Sequence, residues 1–182
     1  RVPEIARAVA PLPRQDRLKI DRKLEHPDSA AAICVQGLVH TPGESDDVEE
    51  KALFILTSQI LAPFAFNYLR SEQQLGYLAG GGYMPLCNTP GLALYVQSHD
   101  YTGDALLKHL DACLLAFLEE IAQMDESEFA KHKHAIMHQY QEQAANLNQK
   151  CQQLWVSIGN KDDRFDQKQR IVTEIRQIQL PL

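Results

Sequence analysis

The sequence predicts an α+β fold in which helices pack on one side of an antiparallel β-sheet. Two strand-like segments come before the first helix, two more flank a loop rich in Pro and Gly, and four helical segments then follow one another. The resulting order is β-β-α-β-β-α-α-α-α. Hairpins that alternate with helices, without the spacing of βαβ units, favour this fold class.

Four segments have the patterns of β-strands. The first alternates Leu18, Ile20 and Leu24 with charged residues, which is typical of a strand with one buried face. The second is a nearly continuous apolar run. The last two lie on either side of the Pro/Gly loop, which indicates a hairpin. The predicted strands are residues 17–24, 30–39, 76–84 and 92–99.

Five segments have apolar residues at helical spacing. Pro63 lies inside the first and should kink or divide it, because proline lacks the backbone N–H and clashes with the preceding turn. Asp125 followed by Glu128 resembles a capping box at the start of the third. The predicted helices are residues 48–69, 104–121, 129–140, 145–159 and 166–178. The second of these has a predicted buried stripe of Leu107, Leu110, Leu114, Phe117, Leu118 and Ile121.

The length of 182 residues is enough for one domain with a core of its own. Residues 1–14 carry three prolines and little periodicity, so we interpret them as a linker or arm and residues 15–182 as the domain. The second half has two strands and four helices and then stops. We therefore expect the sheet to continue beyond residue 182 or to borrow a neighbour's strand.

Charge and composition exclude several functional classes. Lys and Arg number 18 against 24 for Asp and Glu, a net charge of −6, so a surface for nucleic acid is not predicted. No apolar run approaches 18 residues, so no membrane span is predicted. The chain opens at Arg1 without a signal-peptide pattern, which suits a mature or excised segment.

The four cysteines include no C-x-x-C pair, so neither a zinc ribbon nor a thioredoxin-type redox site is predicted. Cys34 and Cys113 lie in the apolar segments AAICVQ and DACLLAF. We expect both to be buried thiols that behave as small hydrophobic residues.

A histidine pair is the first candidate for chemistry. His134 and His138 are four residues apart and share one face of a helix, a spacing that zinc peptidases use. Such sites also need a carboxylate between the histidines, whereas the two relevant positions hold Ala135 and Met137. We therefore expect structural or surface histidines rather than a catalytic metal site.

Two further motifs lack the context that their chemistry requires. Gly80, Gly81 and Gly82 do not form G-x-G-x-x-G or a P-loop, so close backbone approach in a strand is favoured over phosphate binding. The run Ser98-His99-Asp100 is consecutive along a strand, where neighbouring side chains point in opposite directions. These three residues therefore cannot form a catalytic relay.

The junction between the first long helix and the third predicted strand is the fourth candidate. Arg70 and Tyr77 lie on either side of it, and both can donate hydrogen bonds to a peptide carbonyl or a developing oxyanion. Spacing alone leaves a second interpretation open and favours it: a surface ion pair between Arg70 and Glu72, with Tyr77 in the core.

The same junction carries a family resemblance. Residues 69–80, LRSEQQLGYLAG, resemble the R-x-x-x-Q-L-G-Y element of the insulinase/pitrilysin family of zinc metallopeptidases. Four other stretches are similar to the family in the same order, and the resemblance covers residues 15–178. These stretches are ILAPFAFNYLR, LYVQSHD, FLEEIAQMDESEF and GNKDDRFDQKQRIV.

The resemblance implies a clamshell of four homologous α+β domains around a closed chamber, with the zinc site in the first domain. This sequence lacks the family's H-x-x-E-H motif, so the resemblance identifies it as a C-terminal domain that binds no metal. It implies that Arg70 binds the substrate backbone, and that Tyr77 binds substrate and supports the tetrahedral intermediate. The element usually has Glu where this sequence has Gln73, with Glu72 as a substitute for the lost charge.

We therefore predict the C-terminal domain of a zinc metalloendopeptidase that hydrolyses peptides in an enclosed chamber. The catalytic residue of this segment is Tyr77, and the substrate-binding residues are Arg70 and Tyr77. No cofactor is expected in the segment, which alone should be inactive, and zinc is expected in the parent enzyme. One alternative is a non-catalytic scaffold or peptide-binding module of the same superfamily, and another is a free-standing domain with its own metal.

The resemblance also sets expectations for partners and location. The partners are the N-terminal zinc-bearing half of the same polypeptide and peptide substrates, with no nucleic acid and no membrane. An apolar face left exposed by missing neighbours would let the isolated segment pair with itself. The location is periplasmic if the parent follows the pitrilysin branch of the family, and cytoplasmic otherwise.

Overall fold

The computed structural model describes residues 17–23, 25–39, 48–86, 89–159 and 164–180. The predicted arm at residues 1–14 lies outside them. Within the described residues the strands are β1 (Ser29–Gln36), β2 (Leu78–Tyr83) and β3 (Gly91–Ser98). The helices are α1 (Val48–Phe66), α2 (Gly103–Gln123), α3 (Glu126–Gln141), α4 (Leu147–Gly159) and α5 (Gln167–Gln177), and a π-helical segment, Asn67–Glu72, continues α1.

The sheet is antiparallel in the order β1-β3-β2, which confirms the predicted α+β class. β3 lies between the other two, with Ala32 opposite Tyr95 and Gly80 also opposite Tyr95. Its inner face, which includes Leu94 and Val96, is buried beneath the helices. Ala32 and Tyr95 on the outer face are exposed, so the helices cover one side only.

The strand predicted at residues 17–24 is wrong for the described part, because residues 17–23 form no strand. Leu18 and Ile20, expected on a buried face, are 66% and 72% exposed. Charged side chains hold this segment to α2 instead: Lys19 Nζ lies 2.8 Å from Asp104 Oδ1, and Arg17 pairs with Asp111. An open groove of about 1100 Å³ borders this segment, β1 and α2.

The Lys19–Asp104 pair also alters both ionisation equilibria. A hydrogen bond and the opposite charge lower the pKa of Asp104 and raise that of Lys19. The two side chains are 78% and 52% exposed, so the pair contributes little to stability. The alternating charged residues of this segment therefore form ion pairs with a neighbouring helix and do not mark a half-buried strand.

α1 lies at the centre of the helical layer, against β2 on one side and α5 on the other. Its most apolar stretch, within 48–72, is long and hydrophobic enough to cross a membrane by length and composition. Part of this apolar character belongs to core packing: 39% of the stretch is buried, and Leu56, Leu61 and Ala65 are almost completely buried. α1 is continuous through Pro63, so the proline does not divide it and the alternative of a kink stays a prediction; the helix changes to π geometry four residues later.

α2 buries a stripe that is rotated from the predicted one. Leu106, Leu110, Cys113 and Phe117 are buried. Leu110 and Phe117 were predicted correctly, whereas Leu118 was not and is 55% exposed. Thr102 caps this helix by accepting the N–H of Ala105 at 3.4 Å.

Of the two cysteines predicted to be buried, one is buried and one is not. Cys113 is buried in the α2 stripe, whereas Cys34 lies exposed on the outer face of β1.

The last three helices agree with the predicted segments. Asp125 caps α3 by accepting the N–H of Glu128 at 2.8 Å, as its capping sequence indicates. α5 packs on α1 and α3. α4 contributes no buried residue, and Trp155 on it is 72% exposed. The helical layer therefore consists of α1, α2, α3 and α5, with α4 outside the core.

Gly76, just before β2, has no room for a side chain. A Cβ atom there would overlap the carbonyl oxygen of Gln97 in β3. We expect Gly76→Ala to lower the free energy of unfolding by about 1–3 kcal/mol through overpacking. Chemical denaturation measures this change. Gly159→Ala is the control, because a Cβ atom there meets nothing within 4 Å. The free energy of unfolding of this variant should not fall below that of the parent. Equal stabilities would contradict the packing.

Cys113 is expected to be an unreactive thiol. Burial, together with the negative charge of Glu72, raises its pKa to about 11 from 9.0. The folded state therefore disfavours the thiolate, and stability from this group falls as the pH rises from about 9 to 11. Thiol titration at pH 8 should modify Cys113 only after unfolding, and Cys113→Ala should reduce the alkaline loss of stability. Rapid labelling in the folded protein would contradict the burial.

Candidate active-site surface at the α1–β2 junction

Two buried leucines fix the junction that carries the candidate site. Leu69 and Leu75 are 0% and 1% exposed, and the N–H of Leu75 donates to the carbonyl of Leu69 at 3.1 Å. The π-helical segment closes with a hydrogen bond from Gln73 N–H to Tyr68 O at 3.0 Å. Gln74 then adopts a φ of 50°, in the left-handed region that non-glycine residues rarely occupy. The chain therefore turns sharply from the helix into β2.

Arg70 and Tyr77 meet on the surface at this turn. The guanidinium carbon of Arg70 lies 4.6 Å from the centroid of the Tyr77 ring and 5.0 Å from that of Phe66. Tyr77 is 84% exposed, and Arg70 is half-buried. The positively charged guanidinium thus lies close to two aromatic rings, in cation–π contact with both.

The interpretation favoured by spacing alone is wrong on both counts. Tyr77 is exposed instead of lying in the core. Glu72 accepts a hydrogen bond from Asn67 Nδ2 at 2.7 Å, five residues earlier, and forms no ion pair with Arg70. Among the described residues no carboxylate pairs with Arg70, so its N–H groups are not used in a salt bridge. The two rings lie within 5.0 Å of the guanidinium carbon, measured to their centroids, and provide no carboxylate acceptor.

The Gln73 position, where the family element usually has Glu, contributes its backbone to the π turn. Its side chain is exposed, and its N–H bond to Tyr68 could be made by either residue. The sequence makes Glu72 a possible substitute for the missing charge near Arg70. Its contact with Asn67 assigns it to the π-helical turn instead.

The histidine pair lies on the surface of α3. His134 and His138 are both exposed, and His138 Nδ1 lies 3.5 Å from Glu142 Oε1. Lys133, next to His134, donates to the carbonyls of Arg176 and Ile178 at the end of α5. The part of the chain that the structure describes contains no group of three His, Cys, Asp or Glu residues able to hold a metal.

The three glycines of β2 and the run Ser98-His99-Asp100 make packing and backbone contacts. A Cβ on Gly81 would crowd Leu94, and Ala65 of α1 lies close by, so this glycine allows α1 to approach β2. Ser98 is buried, and its Oγ accepts the N–H of Asp100.

His99 faces Asp28 rather than Ser98, with 3.2 Å between Nδ1 and Oδ1. A hydrogen bond from Gln97, followed by that of His99, lowers the pKa of Asp28. Asp28 thus joins the start of β1 to the end of β3, and the consecutive residues Ser98, His99 and Asp100 form no relay.

Sequence reasoning did not single out Phe66, the second ring in contact with Arg70. A weak signal was available: Phe66 lies four residues before Arg70, the spacing at which side chains on a helix are neighbours. The change to π geometry between them could not be read from this spacing.

Comparisons with known proteins agree with this domain. The family "PQQ synthase PqqF-like, C-terminal lobe domain 4" matches residues 56–155, which include Arg70 and Tyr77. Protease 3 of Escherichia coli K12 is 28% identical over 149 residues, covering 82% of this chain and 15% of its own length. The crystal structure of pitrilysin superimposes with a TM-score of 0.72 at 26% identity, covering 85% of this chain and 16% of that one.

A second solved structure shares the fold at lower identity. The periplasmic protease PqqL from Escherichia coli has a TM-score of 0.59 and 12% identity, covering 86% of this chain and 17% of its own. The chain therefore spans about one sixth of the lengths of these proteins. With more than half of its residues matched by the family, the chain belongs to the PqqF-like C-terminal lobe domain 4 family, and it is a C-terminal domain of the insulinase/pitrilysin metallopeptidases.

Proposed function

We propose that this domain supplies substrate-binding and transition-state donors to a zinc metalloendopeptidase that hydrolyses peptides in an enclosed chamber. The observation that carries the proposal is the surface contact of Arg70 with Tyr77, in which neither side chain is engaged by a carboxylate of the described residues. The relatives that the chain matches, Protease 3 and pitrilysin, are proteases of the insulinase family.

Arg70 suits the binding of a peptide backbone. A guanidinium has five N–H donors in a rigid plane and stays charged at all accessible pH values. Cation–π contact with Tyr77 and Phe66 restrains the group without using those donors. Carbonyl oxygens of an extended peptide are the matching acceptors, and hydrogen bonds from a charged donor are stronger than neutral ones.

Tyr77 suits the stabilisation of developing negative charge. Its phenol donates one O–H, and the ring is exposed at the start of β2, whose register with β3 holds the backbone in place. A donor directed at an oxyanion acts more strongly on the transition state than on the ground-state carbonyl. The adjacent guanidinium adds positive charge to the same surface.

The described residues of this chain do not form a site for the zinc of the proposed parent. His134 and His138 lack an intervening carboxylate, are exposed, and belong to no group of three metal-ligating residues in the described ranges. We therefore assign zinc to the N-terminal half of the same polypeptide, where it would activate water. The cellular compartment of the parent follows from its branch of the family: the periplasm if it resembles pitrilysin, and the cytoplasm if it resembles insulinase.

Substitutions in the full-length protein test the two donor roles. We expect Tyr77→Phe to lower kcat for a fluorescence-quenched peptide about 100- to 1,000-fold, because it removes only the O–H. Arg70→Ala should lower kcat/KM at least about tenfold, since hydrogen bonds to charged groups contribute roughly 1.5–3 kcal/mol. Zinc content and thermal stability should be unchanged in both.

Matched controls remove the same groups elsewhere. Tyr101→Phe removes the hydroxyl of an exposed tyrosine beside His109, and Arg164→Ala removes an exposed guanidinium. Both should retain full activity. Parental activity in Tyr77→Phe and Arg70→Ala would refute the assigned roles.

A separate experiment distinguishes the enzyme from a scaffold or a free-standing metal domain. We expect purified residues 1–182 to bind no stoichiometric zinc and to cleave no peptide, as measured by metal analysis and peptide turnover. Tight zinc dependent on His134 and His138 would favour the free-standing domain. A parent polypeptide without H-x-x-E-H would favour the scaffold.

A further inference from the structure

Phe66 is an apolar side chain that is exposed without a place in the core. It is 45% exposed at the end of α1 and belongs neither to the buried core cluster nor to the hydrophobic residues packed against it. Its neighbour Ala65, by contrast, is completely buried. The contact that the structure gives the Phe66 ring is with the guanidinium of Arg70, 5.0 Å from ring centroid to carbon.

The geometry points to Phe66 as a positioning residue for Arg70. This inference rests on the proposed function, in which Arg70 binds the substrate backbone. Arginine has a long side chain with many rotamers, and a free guanidinium would have to be ordered each time a substrate binds. Contacts with Phe66 and Tyr77 restrict those rotamers in advance, which reduces the ordering cost of binding.

Aromatic contact is well suited to this task because it leaves the donors available. A carboxylate partner would also hold the guanidinium, but it would accept the N–H groups that the substrate needs. The carboxylate nearest along the chain, Glu72, is instead bound to Asn67. The positioning of Arg70 therefore depends on its two rings, of which Tyr77 has its own proposed role and Phe66 has no other.

The test compares ring removal with ring retention in the full-length enzyme. We expect Phe66→Leu to lower kcat/KM for a fluorescence-quenched peptide about 3- to 30-fold, in line with the strength of exposed and partly desolvated cation–π contacts. Phe66→Tyr retains an aromatic ring, and its kcat/KM should stay within about twofold of the parent value. Phe165→Leu is the matched control, since Phe165 is another exposed phenylalanine, and it should have no effect.

A double-substitution cycle separates positioning from direct contact or a folding defect. In an Arg70→Ala background, Phe66→Leu should cause no further loss, because the group that it positions is gone. An equal loss with and without Arg70 would overturn the inference and indicate that Phe66 acts by itself. Failure of Phe66→Tyr to restore activity would also overturn it. If thermal denaturation shows that Phe66→Leu does not fold, Phe66→Met is used in its place.

The same set of variants distinguishes the inference from the function on which it rests. If Arg70→Ala retains parental activity, the proposed function fails. If Arg70→Ala is impaired while Phe66→Leu is fully active, the inference alone fails and the role of Arg70 stands.

Discussion

Burial of Leu69 and Leu75 is the constraint on which the candidate site depends. The two side chains are in the core, and their backbones are hydrogen-bonded to each other across the junction. The residues between them must then loop outward, which brings Arg70 to the surface. Gly76 follows directly and lies against β3, so Tyr77, the residue before β2, is held beside that loop. Core packing thus places a charged group and a phenol together without any direct polar bond between them.

The π geometry of residues 67–72 adds a second fixed element. Its turn is closed by the backbone of Gln73 and spanned by the side chains of Asn67 and Glu72, which are five residues apart. Such insertions often occur at functional sites, where they change the direction of a side chain relative to the helix before it. In the proposed function, hydrolysis by the parent would use this orientation.

Much of the fold could be predicted because periodicity and turn chemistry report local packing. The hairpin of β2 and β3, the cap at Asp125 and the segments of all five helices follow from such signals. The strand at residues 17–24 was wrong, because alternation cannot show whether a partner strand is present. Cys34 and Leu118 were misplaced for a related reason: an apolar neighbourhood in sequence does not reveal which face of the sheet or helix is covered. In the candidate site, Arg70 and Tyr77 were singled out at the helix–strand junction and their proposed roles come from the family resemblance, whereas the contact of Phe66 with Arg70 required coordinates.

Restraint of Arg70 by rings instead of a carboxylate also affects how the surface responds to its surroundings. An arginine–glutamate pair weakens when the acid is protonated, and exposed ion pairs are screened by dissolved salt. The ring contacts of Arg70 involve no carboxylic acid, so acidification that would break such a pair leaves them in place. The surface around Arg70 therefore combines ring contacts with a lasting positive charge, and neither depends on a carboxylate of the described residues.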